Sequence, residues 1–533
     1  MSKGTKESRM WKWNRLVSGG ELLLLIGLGM LVQELEGALR LPSVFTDQMV
    51  LQRDQANPVW GWDDPGTAVT VRFGEWEERA VADAEGRWEV ELEALPAQWK
   101  PESLVIEGTD RVEIEDVLVG EVWICSGQSN MAWPLRLSWN GDLNALGADY
   151  PGIRLLTVPH VGTQNLEDDF EGEWALAGPE TVLDFSAIGY YFGRFVHEIL
   201  EVPVGLIDNA WGGSAAEAWI RREALEDEDR FNRIVELAEE REAYVRTPEA
   251  EVEYEEALEK WEAAKAVAEK DERRVPRKPR RPENWLSGNQ RPGNIFAGVL
   301  HPTIGYGIRG VIWYQGESNA SRAQAYGDLF PFLIEHWRSE WEQGDFPFYW
   351  VQLADFRDEP DVPGESAWAE LREAQTRTLS LPNTGQAVII DLGEGNNIHP
   401  RNKHDVAARL ARWALARDYG YDLNYRSPEF ASGQGVDSRF KIDFDCFGSR
   451  LRTLDTDTVK GFAICGEDRE WRWAEARLVD GNTVEVWHEA IPEPVAVRYA
   501  WSDNPEGNLF SEDGLPVTPF RTDSFPMITD PES

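Results

Sequence analysis

The chain has 533 residues, 42% of them hydrophobic, with 53 basic against 95 acidic side chains and a formal net charge of −42. That length asks for more than one domain, and the apolar fraction is enough to build sizeable cores. So acidic a surface repels phosphate backbones and anionic bilayers, which argues against nucleic acid or a lipid surface as a partner. Cys125, Cys446 and Cys465 are too few and too scattered for a disulfide framework, and no Cys/His cluster has zinc-site spacing. A Cys446–Cys465 bridge is the one pairing worth weighing, and two buried thiols are the preferred expectation. The 25 tryptophans are read mainly as core material.

In chain order, residues 1–38 read as an export segment. Lys3, Lys6, Arg9, Lys12 and Arg15 precede the apolar run LLLLIGLGMLV at 22–32. That run is shorter than the roughly 20 residues a bilayer span needs. A basic stretch followed by a short apolar core is a secretory pattern, although Glu21 and the poor cleavage sequence ELEGA depart from it. The expectation is a periplasmic or extracellular protein with no stable membrane span.

Residues 42–120 are expected to form a β-sandwich, because VTVRF (69–73) and RWEVEL (87–92) alternate between turn signals. Over 121–424 the texture changes to short apolar runs alternating with helical stretches, the mark of a parallel sheet. The runs are VWICS, VGLID, GVIWY, FYWVQLA and AVIID, with a helix expected near 187–200. Each run ends in small or polar residues, where such sheets place their sites. A charge-rich segment, 222–283, reads as an inserted helical hairpin broken at Thr247-Pro248, with Tyr254, Leu258 and Trp261 at helical spacing. Its basic end, RRVPRKPRRP, reads as a solvated arm, or as a strip that pairs with the acidic body or attracts acidic sugar. From 425 to 533 the chain is β-rich again.

The candidate site begins at VWICSGQSNMAW, 122–133. A serine nucleophile must be exposed and needs a base to take its proton. A strand-to-helix turn supplies the exposure, and the Ser129 N–H then points where an oxyanion forms. A helix N-cap would explain the same serine. The best base is His399, at the end of the polar loop DLGEGNNIHP and before an amphipathic helix. His160, His197, His336 and His488 read as ordinary, His301 as structural, and His404 as a weaker alternative. Oxyanion donors are expected from Gly212 and Gly213 in NAWGGS, and from the amides of Gln315 and Asn319 in QGESN. Each turn has a bland explanation alone. Four polar turns after candidate strands of one sheet make a joint signal.

These residues carry a resemblance to the sialate O-acetylesterases of the SGNH-hydrolase superfamily. The segments are MVLQRDQANPVWGWDDPG, GEVWICSGQSNMAWP, VGLIDNAWGGSAAEAWI, HPTIGYGIRGVIWYQGESNA, WAELREAQ and DLGEGNNIHPRNKHDVAARLA, in order over most of 42–420. The resemblance implies an α/β fold: an SGNH-hydrolase (flavodoxin-like) three-layer parallel-sheet domain with accessory β-sandwich regions. It implies Ser129 as nucleophile and His399 as base. It places oxyanion donors at the Ser129 N–H, a glycine of the Gly212–Gly213 pair and the Gln315–Asn319 turn. It implies an acetylated carbohydrate as substrate, with no metal and no diffusible cofactor. One position departs: many members carry Asp three residues before the histidine, where this chain has Asn396, and an amide does not stabilise imidazolium as a carboxylate does. The orienting group is then Asp391, Glu394 or a backbone carbonyl, with Asp391 taken as the candidate. The expected activity is removal of O-acetyl groups through an acetyl-serine, sialate O-acetylesterase-like. The alternatives are an acetylxylan or other polysaccharide esterase, and an inactive carbohydrate-binding protein on the same scaffold.

Overall fold

A computed structural model describes residues 39–530, so the export segment expected over 1–38 lies outside the described residues. The centre is a sheet built from β1 (Arg111–Gly127), β2 (Tyr150–Thr157), β3 (Ala175–Ala177), β4 (Val204–Asp208), β5 (Gly310–Tyr314), β6 (Phe348–Val351) and β7 (Thr384–Ala387). Their order is β7-β6-β5-β1-β4-β2-β3. Every neighbouring pair is parallel except β2 with β3.

The 17-residue β1 explains the change of texture along the sequence. Its first half alternates exposed and buried positions and pairs antiparallel with Gln98–Glu107. From Val117 to Gly127 every residue is buried, because that half lies between β4 and β5 and is covered on both faces. The domain boundary expected at 120/121 therefore falls inside one continuous strand. Trp123 on β1 packs against Phe192 of α1 (Ala187–Leu200). Trp313 on β5 is in register with Ser126, an odd number of residues from Trp123, so it points the other way. There it meets Trp337 and Phe330 of α4 (Ala323–Trp341), the fourth of the long helices. Of the others, α5 (Ala367–Arg377) packs on α4, and α6 (Lys403–Arg417) packs on α1.

The helix expected near 187–200 forms with Ala187–Gly193 buried on every side and its last turn part-exposed, and Ser186 caps it, accepting from the Gly189 N–H at 3.0 Å. AVIID behaves differently from expectation. The strand there is Thr384–Ala387, and Val388 and Ile390 leave the sheet to join the C-terminal apolar cluster with Phe462, Ile464, Val497 and Tyr499. Their hydrophobicity is satisfied across regions, not within the sheet.

The insertion folds as α2 (Asn232–Tyr244) and α3 (Pro248–Lys270), with Thr247 capping α3. The basic stretch after it turns back along α3. Arg281 pairs with Glu251 at 3.0 Å and lies over the Tyr254 ring, and Trp261 donates to the Pro276 carbonyl at 2.8 Å. All three cysteines are buried free thiols. Among the described residues no helix is long and apolar enough to cross a membrane.

Candidate active site

The end of β1 sets the geometry. Gly127 has φ +126°, and a Cβ there would lie 2.3 Å from the Tyr314 carbonyl oxygen on β5, so only glycine lets the chain turn here. Gln128 then donates its N–H to the same carbonyl at 2.8 Å. The next residues form a single turn, with the Met131 and Ala132 N–H groups both returning to the Gln128 carbonyl. No long helix follows, so Ser129 is not an N-cap. This differs from the expected strand-to-helix turn, and it leaves the serine free of helix capping.

Ser129 and His399, 270 residues apart, come together: Oγ and Nε2 are 2.8 Å apart. With its proton on Nδ1 the imidazole accepts the Ser129 hydroxyl. The ring lies over Trp133 with 4.8 Å between centroids and 15° between planes, which fixes its tilt. The His399 N–H donates to Asn397 Oδ1 at 3.0 Å, and Asn397 Nδ2 returns to the His399 carbonyl at 2.8 Å, so the loop is braced locally. Burial first, and the nearby Lys403 charge second, hold the imidazole below its usual value. The shift favours the neutral imidazole, the form that accepts a proton.

The flanking amides of SGQSN have structural work. Gln128 Oε1 accepts from the Gly316 and Ser318 N–H groups at 3.4 and 3.3 Å, holding the QGES turn beside the serine. Asn130 joins three segments. Its Nδ2 donates to Glu317 Oε1 at 2.6 Å and to the Ile398 carbonyl at 3.0 Å, and its Oδ1 accepts from Lys403 Nζ at 2.6 Å. Lys403 is wholly buried and desolvation brings its ammonium down to about 7. Burial likewise raises Glu317.

Sequence reasoning passed over Lys403, Asn130 and Glu317, yet one signal was present. Lys403 shares the buried stripe of α6 with Val406, Ala407, Leu410 and Ala414, at helical spacing, so the period alone puts a lysine on an inward face.

The oxyanion expectations divide. A Cβ on Gly212 would sit 3.3 Å from the Ser129 Cβ, so this glycine lies directly against the serine. Among the described residues no acceptor is bonded to the N–H groups of Ser129, Gly212 or Gly213. Gly213 adopts φ +80°. Gln315 and Asn319 are turned elsewhere. Gln315 Nε2 donates to the Ser214 carbonyl and to Asn319 Oδ1, at 3.2 and 2.7 Å. Asn319 Oδ1 also accepts from the Ala216 N–H at 3.0 Å, and its Nδ2 donates to Glu217 at 2.9 Å. These buried amides brace the segment that carries Gly212 instead of presenting donors of their own.

Asp391 is also placed differently from expectation. Both carboxylate oxygens receive the Arg409 guanidinium, at 2.6 and 2.7 Å, a fork pair that leaves no bond to His399. Glu394 is held by Arg401, through its N–H at 2.9 Å and its side chain at 3.0 Å. Asn396 is exposed, and among the described residues no hydrogen bond reaches His399 Nδ1. A cavity of about 360 Å³ opens beside Glu317, lined by Arg357, Trp368 and Asp503 among others. Its guanidinium, Arg357, is already paired with Asp503 at 2.7 Å.

A family model described as carbohydrate esterase, sialic acid-specific acetylesterase, matches residues 284–415. The sialate O-acetylesterase of Mus musculus is 28% identical over 513 residues, covering 87% of this chain and 90% of that protein. The Homo sapiens sialate O-acetylesterase is 27% identical, covering 87% of this chain and 88% of that one. A solved carbohydrate acetylesterase from Xanthomonas citri superposes with a TM-score of 0.77 at 36% identity, covering 91% of this chain and all of that one. The chain belongs to the family of carbohydrate esterases that contains the sialic acid-specific acetylesterases.

Proposed function

We propose that the protein is an exported serine esterase that removes O-acetyl groups from carbohydrate, with Ser129 as nucleophile and His399 as its base. The observation that carries this is the 2.8 Å Oγ–Nε2 contact beside two unbonded backbone N–H groups. Ser129 Oγ attacks the acetyl carbonyl carbon as its proton passes to His399 Nε2. The new oxyanion is held by the N–H groups of Ser129 and Gly212. The intermediate collapses, the C–O bond to the sugar breaks, and His399 returns the proton to the departing sugar oxygen. A water then loses its proton to His399 and attacks acetyl-Ser129; the bond from the acetyl carbon to Oγ breaks, His399 returns the proton to Oγ, and acetate leaves. His399 works as a dyad base, kept in place by Trp133 stacking and the Asn397 loop brace.

The fold reading that accompanies this is an SGNH-type three-layer domain over 121–424, an accessory β-sandwich over 42–120 and a β-rich region over 425–533. Export rests on the basic and apolar pattern of residues 1–38.

For the glycan, the sialate O-acetylesterases among the relatives favour O-acetylated sialic acid. A second reading, a neutral polysaccharide such as acetylxylan, is favoured by the net charge of −42, which gives an anionic sugar little attraction. Acetate release from O-acetylated sialoglycans and from acetylxylan, measured side by side, separates the two. A folded protein inert toward every acetyl ester would overturn both.

A further inference from the structure

The C-terminal region holds a second cavity that the Ser129–His399 chemistry does not use. Its volume is about 530 Å³, well inside the range of small-molecule clefts. Three tryptophans line it: Trp473, 39% exposed, the half-buried Trp487, and the buried Trp501. Trp473 is fixed by its indole N–H, which donates to the Asp361 carbonyl at 3.0 Å. Arg439 covers one part of Trp487, 4.2 Å from the ring centroid.

Two polar groups in the wall lack partners. Trp501 Nε1 and Ser502 Oγ are buried, and neither has a hydrogen bond among the described residues. Both atoms are sealed from the cavity, so its recognition surface is the indole faces and the carboxylates. The charges narrow its chemistry. Glu359, Asp361, Glu475 and Glu506 line the cavity against a single ammonium, Lys460, which pairs with Glu506 at 3.2 Å. An anionic sugar is disfavoured there. A neutral pyranose fits: its C–H face lies on an indole and its hydroxyls donate to the carboxylates.

The cavity is also tied to the dyad. Directly after Ser502, Asp503 takes Arg357 at 2.7 Å and Asn504 Nδ2 donates to the Arg357 carbonyl at 2.7 Å. The Arg357 N–H in turn donates to the Gly395 carbonyl at 2.8 Å, on the loop that delivers His399. The wall of the cavity and the histidine loop thus share one brace.

We propose that this cavity is a second glycan-binding site, which takes a neutral pyranose unit of a polymeric substrate and holds that polymer near the dyad. Only the kinetic consequence rests on the esterase reading; binding does not.

The test uses the full chain carrying Ser129→Ala, titrated calorimetrically with xylohexaose, mannohexaose, cellohexaose and sialyllactose. At least one neutral hexasaccharide should bind, and any binding of sialyllactose should be unchanged by Trp473→Ala. Adding Trp473→Ala should weaken that binding about tenfold, as loss of an aromatic anchor does, while Trp473→Phe keeps most of it. In the active chain, Trp473→Ala should raise KM for the acetylated polymer and leave turnover of 4-nitrophenyl acetate unchanged. Absence of binding by all three neutral hexasaccharides, or equal affinity in a folded Trp473→Ala protein, would overturn the proposal. Loss of 4-nitrophenyl acetate turnover by the parent would instead count against the esterase reading alone.

Discussion

Replacing Asp391 by Asn distinguishes a dyad from a triad. In a Ser–His–Asp triad, exchanging the carboxylate for an amide lowers kcat about 10⁴-fold, because the imidazole loses its tautomer and its charge partner. That corresponds to about 5.5 kcal/mol of transition-state stabilisation. In this structure the Asp391 oxygens are both occupied by Arg409, at 2.6 and 2.7 Å. The substitution removes a charge-assisted fork, yet Asn keeps one acceptor and Arg409 keeps its 2.7 Å bond to the Val388 carbonyl. The loss should therefore appear as stability, on the order of 1–3 kcal/mol. The assay pairs steady-state hydrolysis of 4-nitrophenyl acetate with a thermal melt. The expected result is kcat within about threefold of the parent and a lower Tm. A kcat reduced a thousandfold or more at unchanged Tm would refute the argument and return Asp391 to His399.

Other perturbations read different parts of the site. The Lys403 charge helps hold His399 low, so Lys403→Met should raise the imidazole and move the acid limb of kcat/KM to higher pH; an unmoved limb would show that the charge is not felt. Burial pushes the Asp208 carboxyl from its ordinary 3.8 up to about 7. Between those values the folded protein holds a proton that the unfolded chain has released, so stability falls as pH rises, and the full penalty stands above about 7. Asp208→Asn should accordingly raise Tm at pH 8 and change it little at pH 4, and the reverse pattern would contradict the burial argument. Gly212→Ala, which places a methyl 3.3 Å from the Ser129 Cβ, should lower kcat about tenfold with Tm nearly unchanged. Equal kcat would mean that the glycine does not border the reacting atoms.

What was legible in the sequence was periodic or local. The apolar run ending at Gly127 and the apolar stretch after Ser186 each announce their own burial, and both form where expected. The serine turn and the histidine loop were legible as polar ends of strands, and the fold brings those two together across 270 residues. Legibility fails where a group is claimed by a distant partner. Val388 and Ile390 looked like sheet residues until a separate apolar cluster took them. Asp391 looked like the histidine's partner, but Arg409 on α6 takes both of its oxygens. Gln315 and Asn319 carry the right donors, and the backbone of the Ser214–Glu217 segment uses them. Asn130 shows the converse: a residue read only as the serine's neighbour ties Glu317, Ile398 and Lys403 into one cluster.

On this reading the turn after β1 presents Ser129 as a nucleophile to an acetyl ester. Hydrolysis of 4-nitrophenyl acetate by the purified protein and by Ser129→Ala, with folding of both checked by circular dichroism, tests it most directly. The parent should turn over steadily, and the variant should lose at least about 10³-fold. Equal rates in the two proteins, or a well-folded parent that releases no acetate, would contradict it.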